Sequence, residues 1–122
     1  SELFKDLNSL QYLYLSDNEI SYIDLNLFFN TSSLTTIYLR NNRIEKIGLN
    51  SFRNLKKLAY LDLRSNNLER ISLDWLNDLN SLSDLILINN KIETIENMSF
   101  SNLNNLKSLY LSNNKLSKIQ TK

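Results

Sequence analysis

Leu58-Ala59-Tyr60-Leu61-Asp62-Leu63-Arg64-Ser65-Asn66-Asn67-Leu68-Glu69-Arg70-Ile71 decides the fold of this chain. Around Leu61 and Leu63 apolar and polar residues alternate with period two. The leucines therefore face one side of an extended segment, while Tyr60, Asp62 and Arg64 face the other. The same spacing recurs every 24 residues without insertion or deletion, in copies that start at Leu10, Leu34, Leu58, Leu82 and Leu106. Side by side the copies share L-x-x-L/I-x-L-x-x-N-x-I/L-x-x-I, as in Leu10, Leu13, Leu15, Asn18, Ile20 and Ile23. The later half of each unit adds an aromatic residue or leucine and then a leucine: Phe52 and Leu55, Leu76 and Leu79, Phe100 and Leu103. Phe4 and Leu7 read as the tail of an earlier copy (a partial repeat over 1–9), and the copy from Leu106 is truncated at Lys122. The whole of 1–122 is thus expected to be one repeat segment cut from a longer solenoid. One column is broken, where Thr31 stands in place of Leu7, Leu55, Leu79 and Leu103.

Units this short cannot bury an apolar face alone and must stack. Strands separated by a whole unit cannot pair antiparallel through a tight turn, so the period predicts a parallel ladder. In such a stack Asn18, Asn42, Asn66, Asn90 and Asn114 share one column, expected to be buried. A buried amide left without partners costs about 1–3 kcal/mol, so this column reads as a structural Asn ladder bonded to loop backbone. Asn26, Asn50 and Asp74 share another column ahead of short apolar-spaced segments, which predicts a turn of helix after each.

These residues resemble the leucine-rich repeat family over the entire chain, in its typical 24-residue subclass. The resemblance implies an α/β fold: a curved right-handed solenoid, with parallel strands on the concave face and short helical turns or loops on the convex face. It implies a recognition surface and leaves the individual partner open.

Composition narrows the function from the other side. The formal net charge is +1, which gives no electrostatic case for nucleic acid or an anionic membrane. The chain has no Cys and no His, which removes thiol nucleophiles, imidazole bases and the common zinc ligand sets. No Gly-rich phosphate loop, paired catalytic carboxylates or nucleophile–base pair is present, so no enzyme activity, cofactor or metal is expected of this segment. No apolar run is long enough to cross a bilayer, and no targeting signal is legible from Ser1. One Gly and no Pro are few for a chain that must turn so often; Asn stands in for them.

The outward-facing strand positions form three columns: Tyr12, Thr36, Tyr60, Asp84, Ser108; Tyr14, Tyr38, Asp62, Ile86, Tyr110; and Ser16, Arg40, Arg64, Ile88, Ser112. Five of the six Tyr fall here. Tyrosine suits strands in any case, yet Tyr beside Arg is also the composition of binding hot spots, and Ile86 with Ile88 is expected to expose apolar surface. The candidate contacts are Tyr12, Tyr14, Tyr38, Arg40, Tyr60, Asp62, Arg64, Asp84, Ile86, Ile88 and Tyr110. Arg40 and Arg64 lie on adjacent strands about 4.8 Å apart. Either Asp62 and Asp84 compensate them or an acidic group of a partner does. Glu45, Glu69 and Glu93, followed by Lys46, Arg70 and Thr94, read as a solvated outer face, and Trp75 as core or core-edge packing. Asn30-Thr31-Ser32 and Asn97-Met98-Ser99 match the glycosylation acceptor pattern, although about three such matches are expected from composition alone.

The expected function is protein recognition through the concave sheet, within the extracellular or cell-surface region of a receptor, adhesion or matrix protein. The alternatives are a cytosolic scaffold or regulatory subunit, and a substrate-docking arm of an enzyme whose catalytic domain lies elsewhere. The expected partner is a protein ligand, with no nucleic acid and no membrane contact by this segment.

Overall fold

The computed structural model describes residues 7–119; Phe4, read as the tail of an earlier copy, lies outside the described residues. The elements in chain order are β1 (Tyr12–Tyr14), β2 (Tyr22–Ile23), β3 (Thr36–Tyr38), β4 (Lys46–Ile47), β5 (Tyr60–Asp62) and β6 (Arg70–Ile71). After them come α1 (Leu73–Leu76), β7 (Asp84–Ile86), β8 (Thr94–Ile95), β9 (Ser108–Tyr110) and β10 (Lys118–Ile119). The odd-numbered strands make one parallel sheet in the order β1-β3-β5-β7-β9. Its register is the repeat itself: Leu13 stands opposite Ile37, Ile37 opposite Leu61, Leu61 opposite Leu85 and Leu85 opposite Leu109. Parallel strands joined by crossovers wind right-handed, and the chain is a curved right-handed solenoid of about four turns with little helix.

The frame leucines fill the interior of the coil. Leu34, Ile37, Leu39, Leu58, Leu61, Leu63, Leu82, Leu85 and Leu87 are fully buried. Toward the convex side Phe28 meets Phe52 at 5.6 Å between ring centroids, and Phe52 meets Trp75 edge-on at 6.1 Å. Thr31, the one departure from the leucine column, is also fully buried. Its hydroxyl donates to the Phe28 carbonyl at 2.7 Å, which offsets the desolvation of the oxygen.

The Asn ladder is explicit. Asn66 Oδ1 accepts from the Ile44 N–H of the preceding turn at 3.0 Å. Its Nδ2 donates to Leu39 O and Leu63 O, each at 3.0 Å. Asn42 and Asn90 repeat this pattern and are equally buried. The column is not buried throughout. Asn114 is half-buried, and Asn18, on the first strand of the sheet, is exposed and bonds only to Leu15 O and Ser16 O of its own loop. No described turn stacks ahead of Asn18 to cover it.

Immediately after the third concave column the backbone turns left-handed in every repeat. Asp17, Asn41, Ser65, Asn89 and Asn113 have φ between 57° and 61°. Asn and Asp tolerate this region better than other residues with a Cβ. That is why Asn can do here what Gly does in most turns.

The convex side departs from expectation. Among the described residues only the third repeat builds an α-helical turn, and its N-cap is Ser72, whose Oγ accepts from the Asp74 N–H at 3.0 Å. Asp74 sits inside the first turn, not at the cap. Asn26 closes a turn by donating its N–H to Asp24 Oδ1 at 2.9 Å, and Asn50 is left-handed at φ 60°, which a helix start does not accommodate.

The outer charged segments are also strands. β2 pairs with β4, and β6 with β8 and then β10, but β4 and β6 do not pair. The Gly48 N–H reaches Ile23 O at 2.8 Å and the Glu96 N–H reaches Ile71 O at 3.0 Å, whereas no such bond joins Ser72 to Ile47. Ser51 and Ser99 reinforce the closed rungs by donating to Ile23 O and Ile71 O, each at 3.1 Å. In the third repeat Trp75 holds that column, and an indole has neither the small size nor the hydroxyl to make the tie. The ladder opens there into a cleft of about 520 Å³ lined by Glu45, Ile47, Glu69, Arg70, Trp75 and Glu96, among others.

Candidate functional site on the concave sheet

All eleven candidate residues lie on the concave strands or at the second position after a strand, because the 24-residue register keeps each column in line. Their exposure differs sharply. Tyr12, Tyr14, Arg40 and Tyr110 are exposed, and Tyr38, Tyr60, Arg64, Asp84 and Ile88 are half-buried. Asp62 and Ile86 are buried, at 1% and 4% exposure. The expectation that Ile86 exposes apolar surface is therefore corrected. In register Ile86 lies between Asp62 and Tyr110, and it lines a depression whose other lining residues are Tyr60, Arg64, Asp84, Ile88 and Tyr110. Ile88 remains partly open to solvent in this depression of about 340 Å³.

Beside the depression runs an aromatic platform. The rings of Tyr14 and Tyr38 stack with centroids 4.7 Å apart and planes 8° from parallel. Tyr38 meets Tyr60 at 5.4 Å with planes inclined by 51°. Stacking across strands stabilises the sheet by about 0.5–1.5 kcal/mol per pair. It also fixes ring orientation in advance, which lowers the entropy cost of any later contact. Tyr14 nevertheless keeps 68% of its surface open.

Electrostatics separate the two arginines. Arg64 Nη2 lies 3.0 Å from Asp62 Oδ2, and the Arg64 backbone N–H donates to Asp62 Oδ1, also at 3.0 Å. The Asp62 hydrogen bond raises the guanidinium pKa, with burial opposing. This half of the open question resolves to internal compensation, because Asp62 sits in the central column under its neighbours and its carboxylate needs these donors. Arg40, one strand away in the same column, is exposed and makes no ion pair with a described residue. Asp84 likewise makes no described ion pair; it accepts a hydrogen bond from Ser83 Oγ at 3.2 Å. Burial, and then the charge of Asp62, push the Tyr60 phenol above its ordinary pKa.

On the outer side Lys46 and Arg70 are solvated, and Arg70 pairs with Glu96 across its ladder. Asn30 and Asn97 are exposed on the convex half. The hydroxyls of both acceptor patterns have frame roles: Thr31 holds Phe28 O, and Ser99 Oγ donates to Ile71 O and Glu96 O. Among the described residues no group of three or more His, Cys, Asp and Glu could hold a metal ion, and no helix is long and apolar enough to cross a membrane.

The sequence did not reveal the depression or the commitment of Arg64. The signal was there in part: Asp62 and Arg64 are two residues apart on one strand face, and bulky Tyr38 and Ile86 flank Asp62 in its column.

A family model described as "Leucine rich repeat" matches residues 1–44, 32–92 and 80–122. Among solved structures, a chain from the Toll–Spatzle complex, a molecular hub in Drosophila development and innate immunity, superposes with a TM-score of 0.80 at 29% identity. That match covers 87% of this chain and 14% of the other. A chain from the glycosylated form of the same complex gives a TM-score of 0.67 at 20% identity, covering 98% of this chain and 21% of that one. The sequence thus spans about a seventh to a fifth of the length of these chains. No curated protein matches the sequence.

Proposed function

We propose, from the premise that the chain belongs to the leucine-rich repeat family, that it is a protein-recognition segment working through its concave sheet. We place that segment in the extracellular region of a receptor, adhesion or matrix protein. The observation that carries the reading is the pre-ordered platform of Tyr14, Tyr38 and Tyr60 beside the depression at Ile86 and Ile88. A row of partly exposed aromatics next to a depression that holds Ile88 between charged and aromatic walls has the composition of a binding hot spot. The likeness to a chain of the Toll–Spatzle complex supports the same reading.

The segment supplies part of a footprint. Five strands at about 4.8 Å span roughly 19 Å, and five strand positions at about 3.3 Å add roughly 17 Å, or about 320 Å² in projection. A stable interface takes about 800 Å² from each partner, so neighbouring repeats or loops complete it. Site-specific photocrosslinking tests the reading in cells that make the protein. A photoreactive residue at Tyr14 or Tyr110 is expected to capture a protein, while one at Lys46 or Arg53 on the outer side is not. Capture from the outer positions alone would show that the wrong face was chosen. The compartment is tested separately, by the mass lost to glycosidase from Asn30 or Asn97 after expression with the natural leader in eukaryotic cells. Unmodified Asn and intracellular retention would move the assignment to a cytosolic scaffold.

A further inference from the structure

The concave face is not uniformly charged or uniformly apolar, and its unmatched groups are few. Arg64 is neutralised by buried Asp62 and offers its guanidinium as a fixed wall rather than a free charge. Arg40 is exposed, has a second cation one strand away, and makes no ion pair with a described residue. Two strands along the same column from Arg40, Ile88 opens into the depression that Ile86, Tyr60 and Tyr110 line. Asp84, on the far side of that hollow, is the other concave charge without a described ion-pair partner.

Resting on the reading of this face as a protein-recognition surface, we infer that its partner presents an acidic side chain to Arg40 and an apolar side chain to the Ile86–Ile88 depression. Two strand spacings of about 4.8 Å set these two groups about 10 Å apart. Asp84 adds a preference for a basic group just beyond the apolar anchor. Two kinds of complementarity argue for this occupant. An acid at Arg40 relieves the like-charge neighbourhood of Arg40 and Arg64, which Asp62 relieves only for Arg64. An apolar anchor covers the part of Ile88 that is open to solvent, between Tyr60 and Tyr110. An all-basic partner would face Arg40, and an all-acidic one would meet Asp84.

The test starts from a library of random dodecapeptides displayed on phage and selected on the chain. Selected peptides are expected to carry Asp or Glu two to four positions from Leu, Ile, Met or Phe. A labelled consensus peptide is then titrated by fluorescence anisotropy against variants whose circular dichroism matches the parent. Arg40→Glu is expected to weaken binding by about tenfold or more, the loss of one charge-assisted contact. A peptide with Lys in place of the acid should recover that affinity on Arg40→Glu, which a merely structural role of Arg40 would not allow. Ile88→Ser should weaken both peptides alike. Selection of basic peptides, selection without any preference, or affinity indifferent to Arg40→Glu overturns the inference. If those peptides still lose affinity on Tyr14→Ala, recognition by the concave face stands without this partner chemistry. If only Lys46→Ala on the outer side affects them, the reading of the face falls as well.

Discussion

Replacing Asn66 by Ala removes a side chain that ties two turns of the coil together. The Ile44 N–H loses its acceptor at 3.0 Å, while Leu39 O and Leu63 O each lose one of two amide donors and keep Asn42 Nδ2 and Asn90 Nδ2 at 3.0 Å. All three partners belong to buried residues, so water does not freely replace the amide. One orphaned buried N–H costs about 1–3 kcal/mol and the two carbonyls stay paired, which sets the expected loss at about 2 kcal/mol. Asn67 is the control. Its backbone N–H donates to Ile44 O at 2.8 Å, which Ala preserves, and its side chain makes no described bond. Asn67→Ala should therefore change stability by less than about 0.5 kcal/mol. Asn18→Ala is a second control of the same residue type: an exposed amide bonded only within its own loop should cost under about 1 kcal/mol. Urea melts followed by both circular dichroism and Trp75 fluorescence measure all three, and agreement of the two probes establishes that the stack unfolds as one unit. Equal losses for Asn66→Ala and Asn67→Ala would refute the ladder as the device that joins the turns.

Met98 is held at φ 64° with most of its side chain in solvent, so Met98→Asn should stabilise by about 1 kcal/mol and Met98→Val destabilise, in thermal melts. Thr31→Val keeps shape but loses the 2.7 Å bond to Phe28 O, and should cost about 1 kcal/mol; a gain in stability would show that the hydroxyl is an unmet burden in that column. The Tyr60 phenol is raised above its ordinary 10.0, chiefly by burial and then by Asp62. The folded state thus holds that proton more tightly than the unfolded state. Its contribution is complete below pH 10 and lost as pH climbs through the folded value, so the parent should lose more stability than Tyr60→Phe as pH rises above 10.

The frame was legible because it is written five times. A leucine pair with period two, repeated every 24 residues, leaves a parallel stack as the only arrangement that buries all copies alike, and the Asn column follows from the same register. What escaped the sequence depends on which residues become neighbours across the stack. Ile86 looked exposed because it alternates with frame leucines, yet it is covered by groups 24 residues away on each side. Asp62 and Arg64 looked like two of four exposed charges, and burial of the carboxylate turned them into a closed pair.

Trp75 shows the same limit on the convex side. Along the chain it is one more apolar residue near Leu76 and Leu79, fit for the core, and it is indeed buried. Its effect appears only when its column is compared with Ser51 and Ser99, whose hydroxyls tie one outer rung to the previous one. A large side chain at the position where Ser51 and Ser99 carry hydroxyls coincides with the break of the outer ladder between β4 and β6, while the concave sheet continues unbroken through β3 and β5. The two faces of the solenoid are therefore constrained differently. The inner ladder, with its Asn rungs beside it, sets the relative position of Tyr38, Arg40, Tyr60 and Arg64, and the outer ladder can lose a rung without moving them. A binding surface that must hold its side chains in a fixed pattern is best carried by the face whose backbone bonds are never interrupted, and that face is the concave one.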